Sequence, residues 1–354
     1  GAHRDLHSFP TRRSSDLDMV PLLGENRAIV ALGLKHMAKH RRVGLAKLAA
    51  ASSFDLGDVT SEKIGFQLGP RLNAAGRLDN AGVALDLLMT ECPNQAHQIA
   101  SALDAANAER REIERVIYEE AVEELDAFFG DHHRSIVVSR GGWHAGVIGI
   151  VASRLLARYH RPVIILSIDE EGMARGSARA TPGFDLMAAL TECRDLLVKF
   201  GGHRAAAGMT LPAKDLAEFR ERFERAALAQ LGTGPLVPEL AVDAITAFSE
   251  IDQALLKTLA QLEPFGQGNP APLFATMGVE IDIPSVRILK DQHVKMTLRQ
   301  GGTVFSAIWY RMAERFLTES LPAQVDVAFT PQFSSFSTDT PISLLIRDIR
   351  PAGA

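Results

Sequence analysis

The chain has 354 residues, 46% of them hydrophobic, enough for two or three cores of ordinary domain size. Its net charge of -5 gives no global basic field, so contact with nucleic acid must come from local basic clusters. Two distant cysteines, Cys92 and Cys193, without metal-ligand spacing, indicate neither a disulfide framework nor a zinc site, and without an apolar run of about 18 residues a cytoplasmic protein with no membrane partner is expected.

Residues His3 to Leu17 have neither helical nor strand periodicity and join abruptly to an ordinary apolar pattern at Met19. They resemble a translated sequencing-adapter stretch, and residues 1–17 are set aside from the fold. From Arg27 to Ala50 the spacing predicts two helices broken near Arg41-Arg42-Val43-Gly44, with Lys35, Lys39, Arg41, Arg42 and Lys47 as a solvated face or a DNA contact. Asn94 to Phe128 reads as one long amphipathic helix bridging domains. Beyond Gly130 the pattern alternates: strand 135–138, helix 147–158, strands 162–167 and 173–179, helix 185–200 and helix 213–231, an α/β layer domain. Gly232-Thr233-Gly234-Pro235 reads as a linker. Strands at 279–289, 293–299 and 303–309, a helix near 311–321, then strands at 324–333 and 342–349 follow the order of an OB-fold β-barrel.

Four segments can carry chemistry. In Phe200-Gly201-Gly202-His203-Arg204-Ala205-Ala206-Ala207-Gly208, the glycines allow close backbone approach and 203–207 could open a short helix whose amides face an anion, with His203 at its mouth; a tight turn with a packed histidine is the alternative. On a strand, Arg175, Ser177 and Arg179 share one face, a hydroxyl between guanidinium groups suited to phosphate or simply a solvated face. Gly142-Trp143-His144-Ala145-Gly146-Val147-Ile148-Gly149-Ile150 leads from strand to helix; Trp143 could stack on a base, or be an interface aromatic with His144 as a cap. Gly69-Pro70-Arg71-Leu72-Asn73-Ala74-Ala75-Gly76-Arg77-Leu78 reads as a small-residue loop placing Arg71 and Arg77 near a polymer backbone, or as a structural loop. Asp131-His132-His133 spells a metal-ligand triplet but falls in a predicted turn and reads as surface.

Together with Asp18-Met19-Val20-Pro21-Leu22 and Leu262-Glu263-Pro264-Phe265-Gly266-Gln267-Gly268-Asn269-Pro270, these motifs resemble the RecJ family of single-stranded-DNA-specific exonucleases, within the DHH phosphoesterase superfamily. The resemblance runs from Asp18 to Ile349. It implies the end of a DHH catalytic domain (18–93), a connecting helix (94–129), a DHH-associated domain (130–232) and an OB domain (235–354). It further implies 5′ to 3′ hydrolysis of single-stranded DNA with two divalent ions, Mn2+ or Mg2+, one metal activating water while both stabilise the attacking and leaving oxygens.

Asp18 would be one metal ligand; the family's earlier aspartate motifs and namesake triplet would precede it, leaving the metal site incomplete in this sequence. Carried over motif by motif, Arg71 and Arg77 would hold DNA, Ser177 and Arg179 the 5′-phosphate end, and His203 a phosphate near the scissile bond, with Trp143, His144, Arg175, Gly201 and Gly202 lining the site. His293, Lys295 and Arg299 would track the strand on the barrel, near an aromatic such as Trp309. Partners implied are single-stranded DNA and a single-strand-binding protein, for a monomer. Two departures stand out: Ala178 where the family carries glycine, and a serine-rich loop from Phe333 to Pro341. A non-catalytic single-strand-binding scaffold and a phosphoesterase of short oligonucleotides are the rival expectations.

Overall fold

The computed structural model describes residues 20–78, 81–130, 132–236, 239–319, 321–334 and 341–353. The chain divides into two compact units, one of residues 1–20 and 32–238, the other of 21–31 and 239–354. The adapter-like segment and Asp18 lie outside the described residues, as do Asp131 of the triplet and residues 335–340 of the serine-rich loop.

Helices α1 (Gly24–Lys39) and α2 (Val43–Ala51) break where expected. Arg41, at the break, pairs with Asp55 at 2.8 Å, and Lys35, Lys39 and Arg42 are solvated. A short α3 (Ser61–Lys63) starts on Thr60, whose hydroxyl accepts from the Lys63 amide, and runs through a π-turn (Ile64–Leu68) into α4 (Gly69–Leu78), followed by α5 (Gly82–Met89). The segment expected as a glycine- and alanine-rich loop is thus helix α4. Ala74 and Ala75 are buried, and the π-turn shifts the hydrogen-bond ladder just ahead of Pro70, which cannot donate to it.

Helix α6 (Pro93–Asp126) opens with proline where no amide is needed. Its inward stripe is Ala96, Ala100, Leu103, Asn107, Arg110, Ile117, Ala121 and Leu125, at three- to seven-residue intervals. The first three pack with Leu48, Leu56, Leu68 and Leu87; the last three belong to the core of the α/β domain. A polar pair separates the two cores. Arg110 donates to Asn107 (3.1 Å) and Glu114 (3.0 Å), and burial holds its guanidinium below the ordinary arginine range. Glu114 also accepts from Arg154, which lies 3.8 Å over the Tyr118 ring.

The α/β domain comprises β1 (Ile136–Gly141), α7 (Ile148–Tyr159), β2 (Val163–Ile168), β3 (Met173–Arg179), α8 (Leu186–Glu192), β4 (Lys199–Gly202), β5 (Ala206–Pro212) and α9 (Leu216–Leu231). Strand order is β1-β2-β3-β5-β4, parallel between β1 and β2 and antiparallel elsewhere. Alternation sorts the side chains. Ile136, Val138, Val163 and Ile165 face α6 and α7, while Val137, Ile164, Leu166, Ala174 and Ala178 face α8 and α9. Each of these valine, isoleucine and leucine side chains contributes roughly 1.5 to 3 kcal/mol on burial.

Two expectations fail here. The helix expected over 185–200 ends at Glu192, and Phe200 lies in β4. The short helix expected to open at His203 is instead the tip of a β-hairpin, since small residues let β5 run between β3 and β4. Tertiary pairing overrides the helical preference of the alanines.

The second unit carries β6 (Ala244–Ile245), α10 (Gln253–Leu259), β7 (Phe274–Leu289), β8 (His293–Gln300), β9 (Thr303–Trp309), α11 (Ala313–Thr318), β10 (Gln324–Phe333) and β11 (Ile342–Pro351). Pairing runs β10-β11-β9-β8-β7, with β10 closing on β7 and β9 parallel to β11. This is a closed five-stranded OB barrel. Trp309, expected near the bound strand, is 1% exposed in the barrel core, with the Arg315 guanidinium 5.2 Å from its ring centre.

Candidate nucleic-acid interface

Three motifs far apart in sequence meet beside the first turn of α7. Gly149 lies so close to β3 that an added Cβ would stand 2.9 Å from Ser177 Oγ and 3.2 Å from Arg179 Nη2. Arg179, only 8% exposed, donates to Ser177 Oγ (3.1 Å) and to the Ala178 carbonyl (2.8 Å). Ala178 itself points the other way, into the core against α8 and α9. On the remaining side, Arg77 donates to the Gly146 carbonyl (3.1 Å), and a Cβ on Gly146 would strike the Arg77 carbonyl. His144 accepts from the Gly146 amide (3.1 Å) and so folds back on its own loop. A guanidinium and a hydroxyl are held rigidly against glycine-bared backbone, a cradle whose donors suit an anion.

The helix N-terminus contributes less than expected. The Val147 and Ile148 amides bond to the His144 carbonyl and the Ile150 amide to Val147, leaving fewer donors for an anion. Arg175 shares the face of Ser177 and Arg179, but at the other end of β3, near Asp169 (3.8 Å) and outside the cradle. Trp143 is 5% exposed and donates to Glu120 (2.6 Å), while its carbonyl accepts from Ser167. Base stacking by Trp143 is therefore corrected to the interface-aromatic reading. Arg71 is held by Asp104 (2.8 Å) and the Gln67 carbonyl (2.8 Å), bracing α4 against α6.

His203 is exposed beside the hairpin tip. Its amide donates to the Ala206 carbonyl (2.8 Å), and Ala206 pairs with Arg179 across β3 and β5. His203 and Arg179 thus lie at the same end of the sheet, two strand spacings or roughly 10 Å apart along the pairing direction. Gly201 pairs with Gly208, which pairs with Ser177. Gly202 is required by packing, since a Cβ there would strike the Ala206 carbonyl and lie 2.6 Å from Ala207 Cα. His133 packs on Phe129 and bonds to Gly130, in line with a turn.

On the barrel, β8 presents His293, Lys295 and Arg299 outward while Val294, Met296 and Leu298 fill the core. Arg299 is tied to Asp282 at 3.3 Å. Beside β8 an exposed aromatic, Tyr310, is 52% exposed and edge-on to His293 with ring centres 5.0 Å apart. His293 accepts from the Arg311 amide (3.1 Å), which fixes its ring. The β8–β9 register, with Val294 opposite Trp309, already places Tyr310 next to His293. Alternation along β9 was the signal available in the sequence, since it turns Trp309 inward and its neighbour out.

Among the described residues no three His, Cys, Asp or Glu side chains converge as a metal site requires. The described residues by themselves supply no ligand set for a two-metal centre. Nor is any described helix long and apolar enough to cross a membrane.

The fold and cradle define a DHHA1 domain followed by an OB barrel: family models described as "DHHA1 domain" and "RecJ OB domain" match residues 133–228 and 242–348. A relative from Bacillus subtilis, "Single-stranded-DNA-specific exonuclease RecJ", is 40% identical over 299 residues, 84% of this chain and 38% of its own length. One of the same description from Haemophilus influenzae is 32% identical over 344 residues, 94% of this chain and 60% of its own. The crystal structure of RecJ in complex with Mn2+ from Thermus thermophilus superposes with a TM-score of 0.80 at 29% identity, covering 95% of this chain and 48% of that one; the Mg2+ complex gives 0.79. The chain belongs to the RecJ family, and it spans between 38% and 60% of the length of these two curated relatives.

Proposed function

We propose that this chain is the end-anchoring and strand-binding part of a 5′ to 3′ exonuclease acting on single-stranded DNA in repair and recombination. The observation that carries the reading is the convergence of Arg77, Gly146, Gly149, Ser177 and Arg179 at one corner of the α/β domain. Ser177 and Arg179 bind a terminal phosphate, Gly149 keeps the space for it open, and Arg77 locks the loop that forms the wall. His203, at the same end of the sheet, contacts a neighbouring phosphate. Lys295 and His293 hold the strand on the barrel, and Tyr310 stacks on a base.

Asp18 supplies one ligand to a divalent-metal centre, Mn2+ or Mg2+, in keeping with the metals named for the Thermus structures. The reading includes a monomer in the cytoplasm that meets single-strand-binding protein on its substrate. The barrel favours a polymer over a short oligonucleotide as the substrate. The domain limits that go with this reading are 18–93, 94–129, 130–232 and 235–354.

The test is fluorescence anisotropy of this chain with single strands bearing a 5′-phosphate or a 5′-hydroxyl, each also incubated with Mn2+. Tighter binding of the phosphorylated strand without release of nucleotides is expected. Equal binding of both ends removes the cradle's role, and nucleotide release removes the assignment of most metal ligands to sequence outside this chain.

A further inference from the structure

Helices α2 and α6 meet through small residues, and a groove opens beside their seam. Ala49 of α2 and Ala96 and Ala100 of α6 are buried in one core, which brings the two backbones close. The groove is a recess of about 480 Å³, within the range of small-molecule sites. It is lined by Lys47, Ala50 and Ala51 from α2 and by His97, Ser101 and Asp104 from α6. The first three stand at i, i+3 and i+4 and the others at i, i+4 and i+7, so each helix turns one continuous face to it. Both faces belong to the same compact unit. Neither the cradle nor the barrel uses these residues.

The polar groups of the groove are mostly unengaged. Among the described residues, no hydrogen bond or ion pair occupies the side chains of Lys47, His97 or Ser101. Ser153 and Thr191, also on helices, donate to the carbonyl four residues earlier (3.2 and 2.6 Å), whereas the Ser101 hydroxyl stays off its own ladder. Asp104 differs: Arg71 Nε holds its Oδ1 at 2.8 Å, which fixes the carboxylate and leaves Oδ2 as an acceptor. Arg71 also offsets the Asp104 charge, so the surplus charge of the groove is that of Lys47. An ammonium, an imidazole and a hydroxyl around a fixed acceptor match a ligand that carries both an anionic group and hydrogen-bond donors. The alanine methyls leave room for a flat body.

We propose that this groove binds a nucleoside 5′-monophosphate, with Lys47 and Ser101 on the phosphate, Asp104 accepting from the sugar or base, and Ala50 and Ala51 against the ring. The two faces measure about 6 and 10 Å along their helix axes, the length of one nucleotide rather than of a run. A nucleotide of this class is the product of the exonuclease proposed above; that link rests on the nuclease reading, and the groove itself does not.

The experiment titrates the isotope-labelled chain with thymidine 5′-monophosphate and reads the amides of Lys47, Ala50, Ala51, His97 and Ser101. Saturable shifts are expected there, and they should persist in Arg179→Ala, whose cradle is a separate phosphate site. Lys47→Gln should weaken the affinity about fivefold or more. Ala50→Leu, which fills the groove and keeps every charge, should weaken it by about the same factor. Inorganic phosphate and thymidine should each bind about tenfold or more weakly than the nucleotide. Absence of a saturable shift up to about 10 mM nucleotide, equal affinity for inorganic phosphate, or tighter binding of an unphosphorylated single strand at the same amides overturns the site. Equal binding of 5′-phosphate and 5′-hydroxyl strands with the groove shifts intact overturns only the nuclease reading.

Discussion

The cradle of the α/β domain and the outer face of β8, the two surfaces proposed to meet phosphate, are built in opposite ways. Arg179 is largely buried, bonded to its neighbours and pressed against a glycine. Lys295 is exposed on a strand whose other face fills the barrel core. A pre-positioned guanidinium loses little freedom on binding and suits one anion in one place, whereas an exposed ammonium suits any phosphate that passes. On the proposed reading, end recognition and strand tracking are divided between a rigid site and a permissive one.

That division breaks most visibly at Arg179. Arg179→Ala should cost about 2 to 3 kcal/mol, roughly a 30- to 150-fold loss, for strands with a 5′-phosphate. Strands with a 5′-hydroxyl should be nearly unaffected, and comparing the two affinities by anisotropy checks this. Tyr310→Ala sharpens the other side: about 1 to 2 kcal/mol lost for both kinds of strand. Lys295→Ala should lower the slope of log affinity against log salt by about 0.7, which a salt titration reads directly.

Arg71→Met tests a smaller distinction. With Arg71 committed to Asp104 and Gln67, the change should lower thermal stability by about 1 kcal/mol and leave the affinity for DNA unaltered.

The smallest effect concerns pH. Burial, aided by Arg161, pushes the His160 pKa below its ordinary value. The unfolded chain therefore takes up the proton first, so the stability it gives is present above pH about 6.5 and is lost as pH falls through the folded value. His160 closes α7 with a positive φ of 52°, which asparagine tolerates. His160→Asn should flatten the acid side of the melting-temperature profile.

Much of this was legible in the sequence. Period-two alternation gave the limits of β3 and the outward face of β8, and the barrel's strand order followed from segment spacing. What misled was composition without partners. Ala205-Ala206-Ala207-Gly208 reads as helix in isolation, but β5 needs small residues to fit between β3 and β4. Gly69 to Ala75 reads as loop because the π-turn that admits Pro70 has no sequence mark. Trp143 and Trp309 attracted a stacking role by residue type alone. The hydrogen bond of the first and the inward turn of the second become visible only when neighbouring strands and helices are placed.

The 34 residues of α6 form a rod of about 51 Å whose inward stripe serves one core at its start and another at its end. Neither core is complete without it. A piece excised at residue 130 would strip Val138, Val151 and Trp143 of Ile117, Ala121 and Leu125. The helical part and the α/β domain of this chain should therefore melt as one cooperative block.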